Sequence, residues 1–387
     1  MTPQQLKSEF SKIFPGSSDN IIQVQAPGRV NLIGEHTDYN DGFVCPMAID
    51  KATTITARPR TDGLVRMQTL SNGGATEFSI DREVSKDGPA WSLYPRGAAE
   101  ALRQRKLIKT GADCLVFSDV PIGGGLSSSA SFEVATALTL LTINKTSMDL
   151  VELALACQWA EHNYPGMPCG IMDQFISAMG RKGHALLLDC RDRSTRHVPL
   201  DDPGLRIVIS NTNVKHELVQ GEYTARRHQC ETAVRSISKK FPDIKSLRDV
   251  TLDQLDDSRL GMDPTAFKRA HHVITEIKRC TDFADALTAR DYAKCGQLMY
   301  ASHASLRDDY AVSCVELDTL VDISRTVPGV YGARMTGGGF GGCIVALVKA
   351  DAVAALTKKI DTDYPKKHPG KHATTFATTA SAGAHVL

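Results

Sequence analysis

Three glycines followed by three serines give one segment of the chain the composition of a phosphate-binding loop. The segment reads Gly123-Gly124-Gly125-Leu126-Ser127-Ser128-Ser129. Glycine lacks a Cβ atom, so the backbone can take positive φ angles and a large anion can approach it closely. Val134, Leu138 and Leu141 then follow with helical spacing. A loop that leads into a helix N-terminus directs N–H groups and the positive end of the helix dipole at one point.

This glycine-serine run matches neither of two common nucleotide-binding motifs. No Lys-Ser or Lys-Thr follows the glycines, and the spacing is not G-x-G-x-x-G with an acidic residue about twenty positions later. The serine hydroxyls are suited either to capping the helix or to coordinating Mg2+. On composition alone, a flexible turn before a core helix explains the run equally well. Two further segments favour the phosphate loop.

The second segment concentrates polar side chains between residues 29 and 40. They are Arg29, Asn31, Glu35, His36, Asp38, Tyr39 and Asn40. The segment has no amphipathic period, and it follows the strand-like run Ile21–Gln25. Carboxylates accept hydrogen bonds from neighbouring sugar hydroxyls, and imidazole can donate or accept. The segment therefore suits a neutral polyhydroxylated ligand, although a solvent-exposed loop with internal salt bridges is the alternative.

The third segment places five glycines between residues 337 and 342, directly before the apolar run Ile344–Val348. A hairpin needs only one or two glycines, so this density indicates that the backbone approaches another group closely. We expect the segment to fold back over the glycine-serine run.

Length and composition limit the number of domains, the kinds of partner and the cellular compartment that we expect. The 387 residues suggest about two domains. A net charge of +1, from 45 basic and 44 acidic residues, gives no reason to expect a nucleic-acid or membrane partner. The ten cysteines include no C-x-x-C pair, which is typical of free thiols in a reducing compartment. The polar N-terminal segment is unlike a signal peptide, so we expect a cytoplasmic protein, and we expect a monomer.

Strand-like and helical segments alternate irregularly rather than as strict βαβ units. This pattern favours the α+β class. We place the boundary between an N-terminal and a C-terminal domain between residues 195 and 196, so that the domains are 1–195 and 196–387.

Together, the three segments resemble the three motifs of the GHMP small-molecule kinases. The core of the second segment, at residues 34–39, resembles the members of that family that phosphorylate galactose. The resemblance continues in residues 170–174 and 302–310, and so extends over nearly the whole chain. It implies an N-terminal domain similar to domain 2 of ribosomal protein S5, a ferredoxin-like C-terminal domain, and an active site between them.

The same resemblance implies a reaction. ATP would phosphorylate α-D-galactose at O1 and give α-D-galactose 1-phosphate and ADP, the first step of galactose catabolism by the Leloir route. The ATP phosphates would lie on residues 123–129, and Mg2+ would be held by Ser129 and Glu161. Asp173 would be the catalytic carboxylate, with Arg29 beside it. The implied sugar ligands are Glu35, His36, Thr37, Asp38, Asp173 and Tyr223.

Several alternatives stay open at the level of the sequence. Asp173 is either a general base or an acceptor that only positions the sugar hydroxyl. A catalytically silent sensor that binds galactose and ATP is a second possible function, but such relatives can lack the Ser-Ala pair that this chain retains as Ser129-Ala130. A kinase for N-acetylgalactosamine is the third.

Overall fold

A computed structural model describes residues 1–71, 74–215 and 219–387 of the chain. Helices and strands intermix along the whole sequence, which confirms the predicted α+β class. The first half contains α1 (Pro3–Ile13), β1 (Ile22–Asn31), β2 (Phe43–Val44), β3 (Pro46–Pro59), β4 (Leu64–Thr69), β5 (Gly74–Ser79), α2 (Leu93–Gln104), β6 (Ala112–Ser118), α3 (Ser128–Ile143), α4 (Leu150–Asn163), α5 (Met172–Met179), β7 (His184–Asp189) and β8 (Thr195–Pro199).

The second half is richer in helices. It contains β9 (Leu205–Lys215), α6 (Val219–Ser238), α7 (Leu252–Asp257), α8 (Pro264–Thr288), α9 (Tyr292–Asp308), α10 (Val315–Arg325), β10 (Val330–Thr336), β11 (Gly341–Lys349), α11 (Val353–Lys367), β12 (Thr374–Thr378) and β13 (His385–Val386).

The strands of the described residues form three sheets. The largest has the order β13-β1-β3-β6-β4-β5, and within it β4 and β6 pair in parallel. The second sheet, β10-β11-β9-β12, is antiparallel, and the third joins β2, β7 and β8. The predicted boundary between residues 195 and 196 falls at the first residue of β8, and it stays a prediction. Strand β13, close to the C-terminus, pairs with β1 of the first half.

Strand β1 is longer than the sequence suggested. The prediction ended it at Gln25, but β1 continues to Asn31, with an irregularity in its pairing to β3 between Pro27 and Arg29. Proline has no N–H to donate to the ladder, so such an interruption is expected there. Beyond it, the Arg29 N–H donates to the Leu126 carbonyl at 3.0 Å. Arg29 therefore belongs to a strand that lies against the glycine-serine run, and not to a loop.

An apolar cluster joins the two halves of the chain. Its first-half members include Val30, Met47 and Ile49, and its second-half members include Ile209, Phe283 and Val345. These six side chains are fully buried. Burial of one such side chain stabilises a protein by about 1.5–3 kcal/mol, so the shared cluster holds the halves in a defined arrangement.

Arg334 of β10 adds a polar connection between the halves. Its side chain is completely buried. The guanidinium donates to the Asn31 carbonyl and to the Ser302 hydroxyl, each at 3.1 Å, and lies 3.5 Å from a Glu35 oxygen. It thereby ties the end of β1, and the polar segment after it, to the C-terminal sheet.

Two predictions about the chain as a whole can be compared with the structure. All ten cysteines are free thiols, seven of them buried and three half-buried, as predicted. Burial raises the pKa of Cys45 to about 12, so that this thiol is protonated and unreactive at neutral pH. Among the described residues, no helix has both the length and the apolar character that crossing a membrane requires.

We expect Arg334→Met to lower the free energy of unfolding by about 3–5 kcal/mol, because it leaves the buried Glu35 carboxylate without this cation. Chemical denaturation of both proteins measures the difference. Arg290→Met is the matched control, since Arg290 forms an exposed pair with Asp201 at 3.6 Å and should change stability by less than about 1 kcal/mol. Equal losses in the two variants would contradict the role given to Arg334.

Candidate active site

A cavity of about 510 Å³ brings together the three segments singled out in the sequence. Its lining comes from both halves of the chain, and it includes residues 336–342 of the third segment. The predicted site residues that line it are Arg29, Glu35, His36, Asp38, Gly123, Gly125, Leu126, Ser127, Ser128, Ser129, Glu161, Asp173 and Tyr223.

Two predicted site residues do not line this cavity. Thr37 is fully buried, and its hydroxyl lies within hydrogen-bonding distance of two carbonyl oxygens, 2.8 Å from that of Gly34 and 2.6 Å from that of Phe43. Its side chain holds the turn that carries its neighbours. Gly124 is buried, and a Cβ atom placed on it would lie 3.0 Å from the Asn211 amide nitrogen.

Arg29 and Asp173 form the central ion pair of the cavity. Nε and Nη2 of Arg29 donate to the two Asp173 oxygens, both at 2.8 Å, and Nη1 donates to the Gly125 carbonyl at 2.5 Å. Burial opposes the charge on Arg29, but Asp173, Glu35 and Asp38 together raise the pKa of the guanidinium above its usual value. The family resemblance implied Arg29 beside Asp173, and the structure brings them together.

Ser127 links this pair to the helix that follows. The residue precedes α3 with a left-handed φ of 57°, which is uncommon for a side chain larger than hydrogen. Its hydroxyl donates to Asp173 Oδ2 and does not cap the helix. Because no side chain caps this end, the N–H groups of the first turn are left for an anionic ligand.

The third segment folds back over the glycine-serine run, as predicted. At Gly337 φ is +84°, and a Cβ atom there would lie 3.0 Å from the Gly125 carbonyl, so glycine is required on both counts. The Gly337 N–H donates to Glu35 Oε1 at 2.7 Å, and the Thr336 hydroxyl donates to the same oxygen at 3.1 Å. Glu35 is therefore held by the third segment, which covers the glycine-serine run.

Asp38 lies against Gly170 on the opposite wall. A Cβ atom on Gly170 would overlap the Asp38 carboxylate, which explains the need for glycine at that position. Burial, followed by the charges of Asp173 and Glu35, raises the pKa of Asp38 to about 7. Near neutral pH the carboxyl can therefore both donate and accept hydrogen bonds.

His36 completes the polar segment in a constrained conformation. Its φ of 63° is left-handed, and its side chain is only 4% exposed. Nδ1 is hydrogen-bonded to the Tyr39 hydroxyl at 2.8 Å, and the Tyr223 ring centroid lies 5.7 Å away. Burial, helped by the positive side chains around it, lowers the pKa of His36 to about 3, so the ring is neutral.

Glu161 and Ser129, the predicted metal ligands, both line the cavity, and the Ser129 side chain opposes the rise in the pKa of Glu161 that burial causes. Among the described residues, no three His, Cys, Asp or Glu side chains form a metal-binding cluster. The donors are nevertheless hard oxygens, and Mg2+ is commonly held by one or two carboxylates together with substrate phosphates. In the part of the chain that the structure describes, the buried Glu133 Oε1 has no hydrogen-bond partner. Burial, followed by the charge of Glu161, raises the pKa of Glu133 well above its usual value, so a cation nearby would favour its ionised form. These residues fit a divalent cation.

Two residues of this region were missed as site residues. The Gln174 amide nitrogen donates to Glu161 at 2.5 Å and to Glu133 at 3.2 Å, and both Gln174 and Glu133 are fully buried. Glu133 carries a signal that the sequence offered, since a glutamate between Phe132 and Val134 in an otherwise apolar helix is unusual. Gln174 directly follows Asp173 in the sequence. Its residue type alone does not indicate that it bridges two carboxyl groups.

Comparison with known proteins agrees with this geometry. The family models of the GHMP kinase N-terminal domain and C-terminal domain match residues 94–181 and 283–366. Mevalonate kinase from Methanococcus jannaschii shares the fold with a TM-score of 0.67 at 18% identity, over 94% of this chain and all of that one. The fold is that of the GHMP small-molecule kinases.

The galactokinase galactose-binding signature matches residues 8–59. Galactokinase from Homo sapiens is 48% identical over 95% of this chain and 92% of its own length, and that from Chloroflexus aggregans is 48% identical over 93% and 92%. The structure of Lactococcus lactis galactokinase complexed with galactose superposes with a TM-score of 0.95 at 36% identity, over 99% of both chains. The chain belongs to the galactokinase family.

The buried Glu161 leads to a prediction about pH. Burial, and then the charge of Asp173, raises its pKa from 4.5 to about 7. A raised carboxyl pKa contributes stability that is complete below about pH 4.5 and is lost as pH rises through about 7. Without divalent cations, we therefore expect the stability of wild type relative to Glu161→Gln to fall between pH 5 and 8, by roughly 3 kcal/mol in total.

Thermal denaturation in a chelator across this pH range measures that difference. Glu152→Gln is the control, because Glu152 lies on the same helix and is exposed. A difference between wild type and Glu161→Gln that is the same at every pH would contradict the prediction.

Proposed function

We propose that this galactokinase-family enzyme transfers the terminal phosphoryl group of ATP to O1 of α-D-galactose, and so releases α-D-galactose 1-phosphate and ADP. The observation that carries the proposal is the placement of Arg29. Its guanidinium contacts Asp173 on one side and the Gly125 carbonyl of the phosphate loop on the other. A sugar hydroxyl at Asp173 would thus lie next to a phosphate on the loop, and such positioning is a large part of phosphoryl-transfer catalysis.

The sugar would be bound by the polar segment and Tyr223. The hydrogen bonds that hold Glu35 use Oε1, so Oε2 is available to a ligand hydroxyl. Asp38, with a pKa near 7, can serve a hydroxyl as donor or acceptor. An epimer with one misplaced hydroxyl would leave a buried group unpaired, at a cost of about 1–3 kcal/mol. That cost corresponds to a preference of roughly five- to over a hundredfold for the correct sugar.

Asp173 would accept the hydrogen of O1. A carboxylate has about four lone-pair positions, and Arg29 and Ser127 already occupy three of those on Asp173. About one position is left for the sugar. An acceptor that is so heavily engaged is better suited to aligning O1 than to early proton removal, and the loose transition state of phosphoryl transfer demands little early removal. We therefore favour the positioning role, with proton transfer to Asp173 late in the reaction.

ATP is the phosphoryl donor of kinases of this family. Its phosphates would lie on residues 123–129, where the uncapped N-terminus of α3 supplies N–H groups. Ser129 and Glu161 would hold Mg2+, which when bound neutralises charge on the phosphate oxygens. The ten free thiols support a reducing compartment such as the cytoplasm. The monomeric state stays a prediction.

An ADP-release assay tests the function directly. We expect ADP release that depends on galactose and is at least about tenfold slower with glucose or N-acetylgalactosamine. Tight galactose binding without ADP release would instead identify a silent sensor. Equal rates with glucose or N-acetylgalactosamine would overturn the substrate assignment.

We expect Asp173→Asn to lower kcat by about a hundredfold or more, while galactose still binds, because asparagine keeps the size of the side chain but cannot take the proton. Steady-state kinetics and calorimetric galactose binding measure the two effects. Asp113→Asn is the control, since Asp113 is a buried carboxylate paired with Arg58 and Arg60 outside the cavity. It should lower stability but not kcat. A turnover by Asp173→Asn close to that of wild type would contradict the assignment.

A further inference from the structure

A chain of hydrogen bonds runs from the cavity into the protein behind His36. His36 Nδ1 bonds to the Tyr39 hydroxyl at 2.8 Å, and that hydroxyl bonds to the Tyr310 hydroxyl, also at 2.8 Å. The Tyr310 hydroxyl in turn lies 3.2 Å from the Cys230 sulfur. The chain ends there, with Cys230 on α6 and Tyr310 beyond the end of α9, so three distant parts of the sequence contribute to it.

The side chains in this series of hydrogen bonds are enclosed by the protein, and their rings pack against one another. Tyr310 is completely buried and Cys230 is 2% exposed. The Tyr310 ring centroid lies 4.7 Å from that of His36 and 4.6 Å from that of His272. Such packing leaves the His36 ring little freedom to rotate. Because the ring is neutral, only one of its two nitrogens carries a hydrogen.

The relative strengths of the hydrogen-bond acceptors, from His36 to Tyr310, decide which His36 nitrogen carries the hydrogen. An imidazole nitrogen is a stronger acceptor than a phenol oxygen, so Tyr39 donates to Nδ1 and the Tyr310 hydroxyl donates to Tyr39. The proton of the imidazole is then on Nε2. This nitrogen is buried and has no hydrogen-bond partner among the described residues, and His36 lines the cavity.

We infer that Tyr39 and Tyr310 are positioning residues, which fix the orientation and tautomer of His36 so that Nε2 presents a hydrogen-bond donor to a sugar hydroxyl. The inference rests on the proposed function for the identity of the ligand. It gives the pocket a fixed hydrogen-bond donor beside the carboxyl groups of Glu35, Asp38 and Asp173. A sugar that places an acceptor oxygen at Nε2 is then favoured over one that does not.

Removal of single hydroxyl groups tests the inference in the intact enzyme. We expect Tyr39→Phe to lower kcat/KM for galactose about tenfold or more, with the KM for ATP unchanged, because Nδ1 loses its donor and stays buried. Tyr310→Phe should give a smaller loss in the same direction. Tyr292→Phe is the control, since it removes a hydroxyl bonded to Asp202 at 2.7 Å outside the cavity, and it should leave kcat/KM unchanged. Wild-type kinetics for Tyr39→Phe would overturn the inference.

A double-mutant cycle separates positioning from a general structural effect. If Tyr39 acts through His36, then Tyr39→Phe should cost much less in kcat/KM when His36 is already glutamine. Fully additive losses would show that Tyr39 acts elsewhere.

Nitrogen-15 NMR of the wild-type protein gives a readout that needs no variant. At pH 7 we expect His36 to show a protonated Nε2 and an unprotonated Nδ1, and the reverse tautomer would overturn the inference. The proposed function fails separately, because it requires galactose-dependent ADP release by wild type whatever the tautomer of His36.

Discussion

The Arg29 guanidinium is the contact on which the rest of the cavity depends. It holds Asp173 at the start of α5 with two hydrogen bonds and the backbone of the phosphate loop with a third. A buried arginine is stable only when its charge and its N–H groups are matched, and here the carboxylates around it supply the match. Because the pair is bidentate, it fixes both the distance and the angle between Arg29 and the start of α5.

The carboxylates that compensate Arg29 also outnumber the cations near them. Glu161 and Asp38 both have their pKa raised to about 7, chiefly by burial, with Asp173 the next cause in each case. In both groups burial disfavours the charged form of the carboxyl, and the neighbouring Asp173 adds to that effect. Stability and binding are coupled in such a site, since ligands that bind only the folded state stabilise it. Arg334 likewise compensates the negative charge of Glu35, and it joins the two halves of the chain there.

Much of the fold and of the site could be predicted from the sequence. The α+β class, the free thiols and the approach of the third segment to the phosphate loop all follow from composition and local spacing. The ion pair of Arg29 and Asp173 came from resemblance to a family, since nothing local connects residues 144 positions apart. The predicted end of β1 was wrong. Beyond Pro27 the strand continues because another segment, at Leu126, accepts a hydrogen bond from it, and a local sequence pattern does not show such a partner.

The sequence by itself determined where flexible backbone, hydroxyls and charges occur, because those properties belong to single residues and their neighbours. Only the tertiary structure decided which of these groups meet. It directs the Ser127 hydroxyl to Asp173 rather than to a helix cap, engages Thr37 within its own turn, and places Gly124 close to Asn211. It also joins Tyr39 to Tyr310 across 271 residues. Such pairings depend on the packing of separate elements, which local periodicity does not encode.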